Sequence, residues 1–154
     1  YHINLMVNRG YSSCSAMHDA YERMIKYAKQ EKQIYILYLG DHDPSGLDML
    51  RDIQERLAEF GLFNFEIKHI ALTTKQVKKY NPPPNPAKFS DPRAKWYVEN
   101  FGKTSWEVDA LNPKILNQLI KTEIEDLIDM DLFNKVLKQE LKDKKELENF
   151  SKNG

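Results

Sequence analysis

Cysteine is almost missing from this chain. The single residue, Cys14, excludes an internal disulfide and suits a reducing, cytoplasmic setting. Long hydrophobic runs are also missing. No apolar stretch approaches the ~18–20 residues of a membrane span, and nothing has the pattern of a signal peptide. Net charge is absent as well, because 23 Lys and Arg meet 23 Asp and Glu. That balance removes any global basic field as an argument for nucleic-acid binding. There is no internal repeat. There is no initiating methionine either: Tyr1 leads almost directly into an apolar run. The chain is therefore read as a piece of a longer protein, with an upstream domain of the same parent chain as its first expected partner.

What is present suffices for a folded domain. The 154 residues suit one domain, or one with an appendage, and 41% hydrophobic content supplies a core. Charge is unevenly spread. Residues 66–105 hold eight Lys and Arg against three acids, while the flanks are slightly acidic. Such a basic middle is either a phosphate-facing surface or a set of ordinary solvated lysines.

Hydrophobic periodicity orders the elements. Ile3 to Val7 reads as a strand, followed by "NRGYSS", a turn in which Ser12 or Ser13 is a cap for the next helix. Ala16, Ala20, Met24 and Ala28 recur at helical spacing. Ile34 to Leu39 reads as a strand buried on both faces. Ser45 is placed to cap a helix striped by Leu47, Leu50, Ile53, Leu57 and Phe60 and ended by Gly61. Phe65 to Leu72 is a third strand, and Thr73 or Thr74 caps a short helix. Alternation of strand and helix implies an α/β fold with parallel pairing and right-handed crossovers. Residues 81–93 contain five prolines and read as a stiff extended loop. Helices are expected at Pro92 to Phe101 and after Pro113, then a charge-rich helix or tail. The expected division is an α/β domain over 1–111 and a helical extension over 112–154.

Two carboxylates stand where the second strand ends, in "YLGDHDPSGLDM". Ligands of parallel sheets bind beyond the carboxyl ends of strands. If the backbone stays extended, Asp41 and Asp43 share a side and His42 points the other way, toward the surface. Like charges this close repel, and a Mg²⁺ (or Mn²⁺) ion relieves the repulsion with oxygen ligands. Gly40 and Pro44 shape the turn, and Ser45 and Gly46 open a helix whose amides face an anion. The bland alternative makes both acids simple turn and cap residues.

The D-x-D-P-x-G run after an apolar strand resembles the acidic motif of Toprim domains, as found in topoisomerases, bacterial-type primases and nucleases. It is most similar to the topoisomerase VI A-subunit and meiotic double-strand-break branch. "NRGYSSCSA" resembles the strand–loop–helix before that motif, and "KFSDPRAKWYVENFGKTSWEVDALNP" resembles the tail of phage and bacterial Toprim proteins. The resemblance implies a three-layer, Rossmann-like fold with a mainly parallel sheet. It implies Asp41 and Asp43 as catalytic and Mg²⁺-binding residues acting on DNA, or on RNA, phosphodiesters. It also implies a glutamate from a preceding strand, for which no room exists ahead of Ile3, so the fragment is expected to be catalytically incomplete. None of the eight tyrosines sits in the context of a topoisomerase nucleophile.

Further residues are candidates. Arg9 and the lysines Lys75, Lys78 and Lys79 lie on the same rim and are candidate nucleic-acid contacts. Glu107 and Asp109 in "SWEVDAL" are candidate additional metal ligands. Trp96 and Trp106 are read as packing residues. Two other functions compete. One is a non-catalytic DNA- or protein-binding module of the same fold. The other is a haloacid-dehalogenase-like phosphatase with Asp41 as nucleophile and Asp43 as acid/base, against which Pro44 and Ser45 count.

Overall fold

The computed structural model describes residues 3–7, 14–87 and 92–153. Arg9, Ser12 and Ser13 lie outside the described residues. The chain is α/β with a small parallel sheet of two strands. It divides into two compact units, residues 1–116 and 117–154.

In the first unit, helix α1 (Cys14–Ala28) buries Met17 and Ala20. Strand β1 (Ile34–Leu39) then pairs in parallel with strand β2 (Phe65–Ala71), in the register Ile34 with Phe65 through Tyr38 with His69. Helix α2 (Pro44–Glu59) forms the crossover between them. Alternate strand residues Ile34, Ile36, Tyr38, Phe65 and Ile67 face a core built with Met17, Met49, Ile53, Leu57 and Leu62. The opposite face is less covered than expected: Tyr35 is exposed, so β1 is not a fully buried strand.

Helix α2 ends as its sequence requires. Gly61 takes a positive φ of 94°, its amide donates to the Ala58 carbonyl, and the Leu62 amide donates to Leu57. These are the paired bonds of a Schellman motif, sealed by burial of Leu57 and Leu62. The α2 stripe differs in one place from the periodicity. Met49, rather than Leu47 or Leu50, joins Ile53 and Leu57 in the core.

Residues 3–7 do not form a strand. Ile3, Leu5 and Val7 are exposed, and only Met6 packs against the core. A five-residue apolar segment becomes a strand only where a neighbour supplies ladder hydrogen bonds, and none of the described residues does so here.

Beyond β2, Thr73 caps α3 (Thr74–Tyr80) in a reciprocal capping box with Gln76. The proline-rich stretch is not wholly a loop. Its Asn85–Pro86 (β3) pairs antiparallel with Thr104–Ser105 (β4), which follows α4 (Ala94–Phe101). Pro86 lacks an amide proton, so an edge position suits it. A 3₁₀ turn at Val108–Ala110 precedes α5 (Pro113–Glu125), within which the first unit ends.

The second unit holds the rest of α5 and α6 (Met130–Asn153). Asp129 caps α6 by accepting from the Asp131 and Leu132 amides. The charge-rich end is therefore a helix, and it leaves Leu132, Val136, Leu141, Leu147 and Phe150 exposed. No helix is long and apolar enough to cross a membrane among the described residues.

Candidate functional site

Parallel pairing puts the loops that follow β1 and β2 at one end of the sheet. The ladder runs on past β1: Gly40 donates to the Ala71 carbonyl, and Leu72 donates back to Gly40. The backbone stays extended beyond that point. His42 forms an isolated antiparallel bridge with Trp106, through reciprocal hydrogen bonds of 2.8 and 3.0 Å. Asp43 is extended too, at φ −141° and ψ 172°. Residues 41 to 43 accordingly alternate, with His42 buried between two half-buried acids.

Each acid commits one oxygen to the scaffold. Asp43 is the N-cap of α2: its Oδ1 accepts from the Gly46 amide at 2.6 Å and from the Ser45 hydroxyl at 2.9 Å. Ser45 is thus not the cap. Pro44 at the first helical position has no amide to leave unpaired, and the cap accepts from the third helical residue, Gly46. Asp41 Oδ1 accepts from the Val108 amide at 2.8 Å, a contact from 67 residues away. Among the described residues nothing donates to either Oδ2.

The two carboxylates share a neighbour. Tyr38 folds back over Gly40 and donates to the Gly46 carbonyl at 2.9 Å. Burial, and after it the charges of Asp41 and Asp43, push its phenol up to about 12.

Gly46 explains the glycine of the motif. A Cβ there would lie 2.2 Å from the Asp41 carbonyl oxygen and 3.0 Å from its carbon. Those are backbone atoms, so the first turn of α2 can approach the acid loop only through glycine.

His42 is the main correction. It points away from the acids, as alternation requires, but into the interior, with 1% of its surface exposed. Its Nδ1 is 2.8 Å from the Tyr97 hydroxyl and its Nε2 is 2.9 Å from the Thr74 hydroxyl. The Tyr97 hydroxyl also donates toward the His42 and Thr104 carbonyls. With its one proton so engaged, Tyr97 accepts from Nδ1–H, and Nε2 accepts from Thr74. Phe101 and Trp106 meet the ring edge to face at 4.9 and 5.6 Å. Burial pulls the imidazole below its ordinary value and raises the Tyr97 phenol. Nothing in the local pattern announces this arrangement, since Thr74, Tyr97 and Trp106 come from three separate segments.

The other candidates are dispersed. Lys75, Lys78 and Lys79 are exposed along α3, directly after the carboxyl end of β2. The Lys79 ammonium sits 5.0 Å from the centre of the Tyr80 ring. Glu107 and Asp109 are exposed at the 3₁₀ turn. Among the described residues no three His, Cys, Asp or Glu side chains gather into a metal-binding group, so these two do not join Asp41 and Asp43 in such a set. Trp106 packs as expected, whereas Trp96 is 53% exposed, with its ring edge to face with Phe101.

Asp41 and Asp43 offer carboxylate oxygens, the donor type that Mg²⁺ takes. Mg²⁺ is commonly held by one or two carboxylates, with water and phosphate filling the other positions. No protein-family model matches the chain, and neither does any curated protein or solved structure.

Proposed function

We propose that this chain is a Mg²⁺-dependent Toprim-like domain, with the three-layer Rossmann-like architecture of that family, acting on nucleic-acid phosphodiesters as part of a larger protein. One observation carries the reading. Two half-buried carboxylates beyond the end of β1 each use Oδ1 for the scaffold, and among the described residues neither Oδ2 has a donor. A cation between neighbouring carboxylates favours the charged form of both. In this role Asp41 and Asp43 would hold the ion, which would supply charge neutralisation at the phosphodiester. Lys75, Lys78 and Lys79, on the helix that opens at the same end of the sheet, supply contacts to the phosphate backbone of DNA or RNA.

Calorimetry tests the reading. Asparagine keeps the shape and the accepting oxygen of both side chains, and it is a good helix cap. Asp41→Asn with Asp43→Asn can therefore keep the hydrogen bonds to Oδ1 while it removes the charge and replaces each Oδ2 by an amide nitrogen. The expected result is weak Mg²⁺ binding by the parent protein and none by the double variant. Equal binding by both would discard the site.

A second reading is a non-catalytic binding module of the same fold. The capping role of Asp43 and the lack of a third acidic partner among the described residues favour it. Under this reading the double variant keeps full nucleic-acid affinity with or without Mg²⁺.

A further inference from the structure

The hydrogen bond from Val108 to Asp41 is the longest-range contact in the acid loop. It belongs to a segment that is itself anchored. Trp106 is bridged to His42 by two main-chain hydrogen bonds, and the Thr104 carbonyl accepts from Tyr97. Thr104 and Ser105 pair with Pro86 and Asn85. Residues 104–108 therefore form an arm fixed on both sides, and the arm aims one amide at one carboxylate oxygen.

We infer that the main-chain amide of Val108 is a positioning group, which holds Asp41 by Oδ1 so that Oδ2 alone is presented to a divalent cation. The inference rests on the metal reading above and adds a specific requirement to it. Asp43 needs no such arm, because the start of α2 supplies its donor. Asp41 lies ahead of the helix, and among the described residues Val108 is the one donor to its side chain. Without that donor the Asp41 side chain would have its torsional freedom back. Ligating carboxylates are commonly held in this way, and removing the holding group costs ~10–100-fold in metal affinity.

The local backbone permits a clean test. Val108 is the first residue of the 3₁₀ turn, where proline is well tolerated. The preceding Glu107 is already extended, at φ −88° and ψ 140°, the conformation that a following proline demands. Val108→Pro thus deletes the donor while keeping the chain path. Val108→Ala keeps the donor and removes most of the side chain.

The affinity of each full-length protein for Mn²⁺ is read by electron paramagnetic resonance, with Tm recorded alongside. The expected result is that Val108→Pro weakens binding by roughly 10-fold or more, whereas Val108→Ala binds like the parent. If Val108→Pro does not fold, α-hydroxyvaline at position 108 replaces the amide N–H by an ester oxygen with the side chain intact, and the same loss is expected. Parent-like affinity in the donor-deleted protein overturns the positioning role alone. No Mn²⁺ binding by the parent protein overturns the metal reading, and this inference with it.

Discussion

At Gly46 the start of α2 meets the Asp41 backbone with no room for a methyl group. Gly46→Ala forces these two backbone segments apart, at a cost of about 1–3 kcal/mol. Chemical denaturation should show that loss, and an unchanged midpoint would mean that the close approach is not real. The buried imidazoles set a second residue-scale expectation. His42 and His69 are both lowered, chiefly by burial, and His69 Nε2 is buried without a partner. In the unfolded chain they titrate near pH 6.5, so just below that pH the unfolded state binds protons that the folded state refuses. Stability is therefore complete above about pH 6.5 and falls as pH drops toward the lower folded values, by up to about 1.4 kcal/mol per pH unit for each imidazole. Tm measured from pH 7.5 to 5.5 should decline, and a flat profile would contradict the burial of both rings. At this scale the alternation of residues 41 to 43 was legible, because it is a local property of extended backbone, whereas the close approach at Gly46 was not. Nor was the setting of His42. Alternation gives the side to which a residue points but not what is packed there, and its partners Thr74 and Tyr97 are 32 and 55 residues away.

Among the elements, α2 is the one most fully written in its own residues. Asp43, Pro44 and Gly61 mark its ends, and only the cap was misplaced, by two residues, onto Ser45. Helix α3 was expected with Thr73 or Thr74 as its cap, and Thr73 fills that place, while the return bond from Gln76 was not foreseen. The β3–β4 pairing was not, since a two-residue strand has no periodicity and five prolines suggest a loop. Helix α3 also bears the element-scale prediction. Its three exposed lysines neutralise backbone phosphates in the proposed role. Replacing Lys75, Lys78 and Lys79 with alanine should weaken DNA binding across all sequences. For duplex DNA it should flatten the plot of log affinity against log salt by up to about 0.9 per lysine. An unchanged salt slope would remove α3 from the interface.

For the whole molecule, the parallel α/β character followed from strand and helix alternation and is present in the β1–α2–β2 unit. The strand expected at Ile3–Val7 is absent, because pairing is a property of two segments and a pattern describes one. The contribution of residues 104–108 to the acid loop was hidden for a related reason: a main-chain amide has no side-chain signature. What unites these features is a loop rigidly braced from α2, α3, α4 and the 104–108 arm, with two carboxylates as its outward product. The most direct measurement is an anomalous-scattering map from crystals of this protein soaked in Mn²⁺. The account predicts one peak held by the carboxylates of Asp41 and Asp43. A map with no peak there, or with the ion held by other residues, would contradict it.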